Sequence, residues 1–287
     1  MFDVIIIVDW SASATPKRGA DSIWSYEVDV TGPAAAPINH RTRSSARDHL
    51  LQRLCAHQGR RVLVGFDFAF GYPSGFAARA GLPGASSWSA TWSYLAAEIM
   101  DDERNRNNRW AVAAALNERL GVCQFWGVPF SRRSDWLTTT KPPTTLAEHR
   151  HTEHRLRSTA NTRPFSVWQL LGAGAVGSQT LTGIPVLQHL RTHPSLADRV
   201  RVWPFETGFT ADPCGGRRDA VVLAEVWPSA VSCDHLTESV KDARQVRALA
   251  EHFLAADAAG VLAAAFAPAI EPALLREIVT EEGWVLT

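Results

Sequence analysis

Cysteine is scarce: four residues in 287, at Cys55, Cys123, Cys214 and Cys233, with no two in a CxxC pair. That excludes a zinc site built on thiolates, and a chain of this size has no need of a disulfide framework. The four read as free thiols in a reducing compartment. Charge of one sign is also lacking. Lys plus Arg number 29 and Asp plus Glu number 29, so no global field draws the protein onto nucleic acid or acidic lipid. A local basic groove stays open. No stretch approaches about eighteen uninterrupted apolar residues; the richest, residues 260–270, is alanine-heavy and contains Pro268. The apolar run Val4 to Val8 is too short for the core of a signal peptide and has no basic start. The expected location is the cytoplasm, with no membrane contact. No internal repeat is present.

What the chain does have is apolar material. Hydrophobic residues make up 46% and tryptophans number eleven, enough for a substantial core and unlike a disorder-dominated composition. The run Val4-Ile-Ile-Ile-Val8 is β-branched and continuous rather than alternating, as in a strand buried on both faces. Residues 22–30 alternate and predict a second strand, ended by Gly32 and Pro33. A weaker strand is expected at 38–42, and a helix at 45–57 capped by Ser44 or Ser45 and stopped at Gly59. Residues 61–68 form the next buried strand. Residues 72–164 are irregular, with helices expected at 89–103 and 111–120, and read as a Trp-rich insertion decorating the sheet. Residues 165–190 are mixed and partly helical. Strands at 200–205 and 220–227 and helices at 241–256 and 272–280 follow. The order strand, strand, strand, helix, strand is the one with which the ribonuclease-H-like fold begins. The expectation is therefore a single α/β domain over 1–287, a mixed five- or six-stranded sheet with helices on both faces and the insertion at about 72–164.

Three carboxylates stand at the ends of strand-like apolar runs. Asp9 follows five aliphatics; Asp67 lies in Val62-Leu-Val-Gly-Phe-Asp-Phe-Ala-Phe70; Glu225 lies in Val221-Val-Leu-Ala-Glu-Val-Trp227. An ionised carboxylate in such a setting is costly unless it is paired or binds a cation. Asp242 is a fourth, in the first turn of a helix whose apolar face holds Val246, Leu249, Ala250 and Phe253; at helical spacing it shares that face. Gathered together, these groups would hold Mg²⁺ or Mn²⁺, hard cations that prefer oxygen, and two such ions would serve phosphodiester cleavage. Each residue has a plainer reading. Asp9 and Asp67 could shape the turns that follow them, Asp242 could stabilise a helix N-terminus, and Glu206 in Trp203-Pro-Phe-Glu-Thr207 rivals Glu225 as the site acid.

Four segments, Asp9-Trp-Ser-Ala-Ser13, Gly65-Phe-Asp-Phe-Ala-Phe-Gly-Tyr-Pro73, Glu225-Val-Trp-Pro-Ser229 and Lys241-Asp-Ala-Arg-Gln-Val246, together with the fragment Arg150-His-Thr-Glu153, resemble a family of predicted ribonuclease-H-like nucleases. The resemblance implies a metal-dependent nuclease with Asp9, Asp67 and Asp242 in the metal-ligand positions and Glu225 as their companion. Similar chains are sometimes labelled molybdopterin guanine dinucleotide synthesis proteins, but no nucleotidyltransferase motif is present here.

Other features bear on substrate. Residues 131–163 carry Arg132, Arg133, Lys141, Arg150, Arg155, Arg157 and Arg163 against Asp135, Glu148 and Glu153, interleaved with Trp136 and followed by Phe165. This segment is either a solvated insertion or a surface for phosphates. Ser11, Ser13, Lys17, Arg150 and Arg155 are the expected substrate-binding residues, for nucleic acid or a nucleotide. His149, His151 and His154 form no HExxH arrangement and argue weakly for zinc. The glycines at 172, 174 and 177 match a dinucleotide fingerprint, yet no β-branched strand precedes them, and close helix packing explains them better. Asp9-Trp-Ser-Ala-Ser13 also resembles the phosphate-binding hairpin of sugar-kinase and actin-like ATPases, which makes an ATP phosphotransferase the enzyme runner-up. A non-catalytic accessory or binding protein, in keeping with the molybdenum-cofactor label, is the third reading.

Overall fold

The computed structural model describes residues 1–32, 35–160, 163–172 and 175–287; Pro33 and part of the 172–177 glycine motif lie outside them. Strands β1 (Val4–Asp9), β2 (Ile23–Asp29) and β3 (Ile38–His40) open the chain, followed by helix α1 (Arg43–Ala56) and strand β4 (Arg61–Phe66). Helices α2 (Phe76–Arg79), α3 (Ser87–Glu98), α4 (Arg109–Leu120), α5 (His151–Ala160) and α6 (Gly177–Thr192) come next. Strands β5 (Val200–Val202) and β6 (Ala220–Val226) lead to α7 (Lys241–Ala258), α8 (Leu262–Phe266), α9 (Pro272–Glu277) and the closing strand β7 (Val285–Leu286).

The sheet has seven strands in the order β3-β2-β1-β4-β6-β5, with β7 also paired to β6. It is mixed: β2 runs antiparallel to β1 and β3, whereas β1, β4, β6, β5 and β7 pair in parallel. β5 pairs with residues 221–223 of β6 and β7 with 225–226, so the two short strands share one edge of β6. The chain is thus an α/β protein whose described residues form seven strands against the five or six expected.

The continuous apolar runs follow from burial on both faces. Ile5, Ile7, Leu63, Val222 and Ala224 face one core with Val246, Leu249 and Phe253 of α7. Ile6, Val8, Val64, Phe66 and Leu223 face the other with Leu50 of α1, Trp92 of α3 and Leu187 of α6. Alternate residues of one strand point to opposite faces, so each strand feeds both cores.

Several expected boundaries move for local reasons. Helix α1 begins at Arg43, because Thr42 rather than Ser44 or Ser45 caps it: the Thr42 side chain accepts from the Ser45 amide, and Ser45 completes a capping box. Helix α3 begins at Ser87 after a similar Ser86 and Ser89 box and stops at Glu98, short of 103. The strand expected over 200–205 ends at Val202, where Trp203-Pro204 follows with a cis peptide bond. Helix α9 ends at Glu277 and runs into a single π-type turn, Ile278–Glu282. No helix among the described residues is long and apolar enough to cross a membrane.

Candidate functional site

Parallel pairing of β1, β4 and β6 sets their carboxyl ends side by side. Val8 lies opposite Phe66, and Phe66 opposite Glu225. Asp9, the last residue of β1, and Asp67, the first residue past β4, therefore become neighbours without being near in sequence. Asp67 is fixed in place by two backbone links: its amide donates to the Val8 carbonyl at 3.3 Å, and its Oδ1 accepts the Trp10 amide at 2.7 Å. The Asp9 and Asp67 carboxyls lie close enough to act on each other.

These ends open into a cavity of about 810 Å³, lined by all four expected acids, Asp9, Asp67, Glu225 and Asp242, and by Ser11, Ser13 and Lys17. Asp242 arrives from α7, where its Oδ2 accepts the Asp21 amide at 2.7 Å. The charge state of this cluster is unusual. Burial, then the Asp67 carboxylate, hold the Asp9 carboxyl well above the ordinary carboxylate range, with Asp242 and Asp21 adding to it. Burial likewise pushes Asp67 up to about 6, against hydrogen bonds from Asp9 and Trp10. Asp242 is raised by burial as well, against the pull of the Asp21 amide. The two carboxyls act on each other, and two carboxylates so placed cannot both ionise cheaply.

Glu225 has a different fate. It is buried, and Arg150 grips it with Nη1 at 2.8 Å from Oε2 and Nη2 at 2.6 Å from Oε1. Its Oε2 also accepts the Phe70 amide at 3.0 Å. Arg150 in turn binds Glu153 and the Glu282 carbonyl, the latter at 2.9 Å. Glu225 is thus a neutralised brace between β6, the segment after Asp67 and α5, not an open ligand. The same geometry corrects Arg150, expected to hold a phosphate: it is 1% exposed and its donors are committed to protein oxygens. Arg155, also expected to touch substrate, is exposed on α5 with its guanidinium over the Trp284 ring at 5.4 Å, and it does not line the cavity. Glu206, the rival of Glu225, lies outside the cavity too. It accepts Arg191 and, at 2.9 Å, the Val202 amide, bracing the end of β5.

The remaining expected residues sit at the cavity but are tied to their own loop. Ser11 Oγ donates to the Asp21 carbonyl at 3.0 Å, Ser13 Oγ to the Thr15 carbonyl at 2.8 Å, and Lys17 pairs with Asp21 at 3.2 Å. Buried Arg43 pins that loop by donating to the carbonyls of Ser11 and Ser13 at 3.0 and 2.8 Å. Of the described basic residues in 131–163, Arg150 and Arg163 line the cavity; Lys141 pairs with Glu148 and Arg157 reaches His149. Gly177 serves packing, since a Cβ there would stand 2.5 Å from the Val167 carbonyl.

Two features escaped the sequence reading. Arg109, at the start of α4, lines the cavity at 7% exposure with no acid paired to it among the described residues. Burial and the nearby Arg43 push it down to about 10. Nothing in its sequence context distinguishes it from a surface arginine. His151, Glu277 and Glu282 form, among the described residues, the one trio whose potential ligand atoms all lie within 4.8 Å of one another. Asp9, Asp67 and Asp242 are more widely spread than that. The trio braces the C-terminal turn: Glu282 accepts the His151 and Ser74 amides at 2.7 and 2.9 Å.

Comparison with protein-family models, curated proteins and solved structures finds no match to this chain. The reading of the site rests on its chemistry.

Proposed function

We propose that the chain is a divalent-metal-dependent phosphodiester hydrolase with a ribonuclease-H-like core. The observation that carries this is the Asp9–Asp67 pair at the cavity floor. Several other partly or fully buried acids are answered with arginine, Asp29 with Arg60, Asp101 with Arg43, Glu27 with Arg53 and Glu225 with Arg150, and the buried Glu281 and Glu282 accept backbone amides. Asp9 and Asp67 have no such partner among the described residues, and their neighbours Asp242 and Asp21 add negative charge. A site of that sign is relieved by a cation, and carboxylate oxygens are the ligands that Mg²⁺ and Mn²⁺ prefer. The strand order β3-β2-β1-β4-β6, with only β2 antiparallel to its neighbours, supports the ribonuclease-H-like reading.

Asp9 and Asp67 would hold the ion, with Asp242 completing the set from α7. When bound it would supply charge stabilisation at a phosphoryl oxygen and a more acidic water. The chain's own contribution is orientation. The Trp10 and Asp21 amides aim Asp67 and Asp242, and the Arg150 brace on Glu225 keeps the Phe68–Phe70 segment against β6. The serine hydroxyls donate within their own loop, which favours hydrolase over ATP phosphotransferase. Titration calorimetry with Mn²⁺, and cleavage of a labelled oligonucleotide by wild type and Asp9→Asn, test the proposal. The expected result is Mn²⁺ binding and cleavage in wild type, both lost in the variant. Nucleotide-dependent thermal stabilisation without cleavage would move the reading to a phosphotransferase; absence of Mn²⁺ binding would move it to an accessory protein.

A further inference from the structure

The cavity carries a buried cation as well as buried acids, and among the described residues no carboxylate is bonded to that cation. Arg109 donates Nε to Ser178 Oγ at 3.0 Å and Nη1 to Asn107 Oδ1 at 2.9 Å, both neutral acceptors. Its guanidinium lies 4.3 Å over the Trp110 ring. The acid that acts on it, Asp101, is engaged by Arg43. Burying an unpaired guanidinium is costly unless something anionic meets it. Arg109 is more than nine-tenths buried and lines the cavity, so the cavity is where an anion can reach it.

We infer that Arg109 binds a second phosphate of the substrate, the terminal phosphate of a single-stranded end, while the bond to be cleaved lies at Asp9 and Asp67. The inference rests on the hydrolase reading for the second half of that statement and stands alone for the first. Three observations shape the substrate class. A planar guanidinium with free donor capacity suits a phosphate better than a neutral group. The volume, about 810 Å³, falls within the range of about 300–1,000 Å³ that encloses a small ligand; it admits one or two nucleotide units and not a duplex. Phe165, 46% exposed, and half-buried Trp227 line the same cavity and offer aromatic faces on which an unpaired base can stack.

The test is binding, read by titration calorimetry in EDTA so that no cleavage is needed. The probes are a 5′-phosphorylated dinucleotide, the same dinucleotide without that phosphate, and a blunt duplex with unphosphorylated ends. The expected result in wild type is about ten- to a hundredfold tighter binding of the phosphorylated dinucleotide, with no competition from the duplex. In Arg109→Gln the preference disappears, and in Arg109→Lys it is partly kept, both variants being checked for folding by circular dichroism. Equal binding of the two dinucleotides by wild type overturns the inference even if the variants fail to fold, and so does a preference that survives in a folded Arg109→Gln protein. Phosphate-dependent binding with no hydrolysis of any substrate in Mn²⁺ leaves Arg109 as the anchor and removes the hydrolase reading instead.

Discussion

Arg150 and Glu225 meet as a two-pronged ion pair, 2.8 and 2.6 Å long, with both residues buried at the cavity wall. They come from the residue just before α5 and from β6, and the same arginine holds Glu153 of α5 and the carbonyl of Glu282 near the C-terminus. One guanidinium therefore joins three parts of the chain behind the cavity. Removing it leaves two buried carboxylates without a counter-charge. Arg150→Met is expected to cost about 3–5 kcal/mol, the usual penalty for breaking a buried pair from one side. Urea denaturation measures it, and a loss below about 1 kcal/mol would show that the brace is dispensable.

The Asp9–Asp67 pair makes stability depend on pH. An acid whose folded pKa lies above its unfolded value binds its proton more tightly in the folded state, so stability falls as pH rises between the two values. For Asp67 that window runs from about 3.8 to about 6. Asp67→Asn keeps the acceptor for the Trp10 amide and removes the repulsion. Without metal it is expected to melt higher than wild type at pH 7.5, with the gap closing at pH 4; a gap that does not change with pH contradicts the raised Asp67 carboxyl.

Metal restores what repulsion takes away. Mn²⁺ at pH 7.5 is expected to raise the melting temperature of wild type and not that of Asp9→Asn. Because the ligands must give up their protons, binding should weaken as pH falls below about 6. Cleavage should drop at least about a thousandfold in Asp9→Asn with the fold retained.

Gly71 offers a packing test. A Cβ at this position would stand 2.1 Å from the Glu281 carbonyl oxygen and 2.6 Å from that of Glu282. Both obstacles are backbone, so Gly71→Ala must push the segment after Asp67 away from the C-terminal turn. A loss of about 1–3 kcal/mol is expected, with weaker Mn²⁺ binding because Asp67 shares that segment. Thermal melting and calorimetry read the two effects separately.

The strands and the acids that end them were legible in the sequence. Val4–Val8, the run before Asp67 and Ala220–Ala224 are apolar without interruption, and a sheet covered on both faces is the arrangement that needs such runs. A carboxylate closing each run is visible for the same reason: it breaks the pattern. Helix α1 was legible in kind but not in its first residue, since Thr42 and Ser45 cap it through a reciprocal bond that several nearby hydroxyls could equally have made.

Which of those acids stays open could be decided only by the tertiary structure. Glu225 and Asp67 look alike as letters, yet an arginine far away in the chain reaches one and not the other. Arg150, read as a phosphate holder, was spent on that contact, while Arg109, which looked like any helix-start arginine, was left without an acid at the cavity wall. Local pattern records how much of a segment must be buried, because burial acts residue by residue. Charge compensation is a property of pairs brought together from distant segments, and no periodicity encodes it.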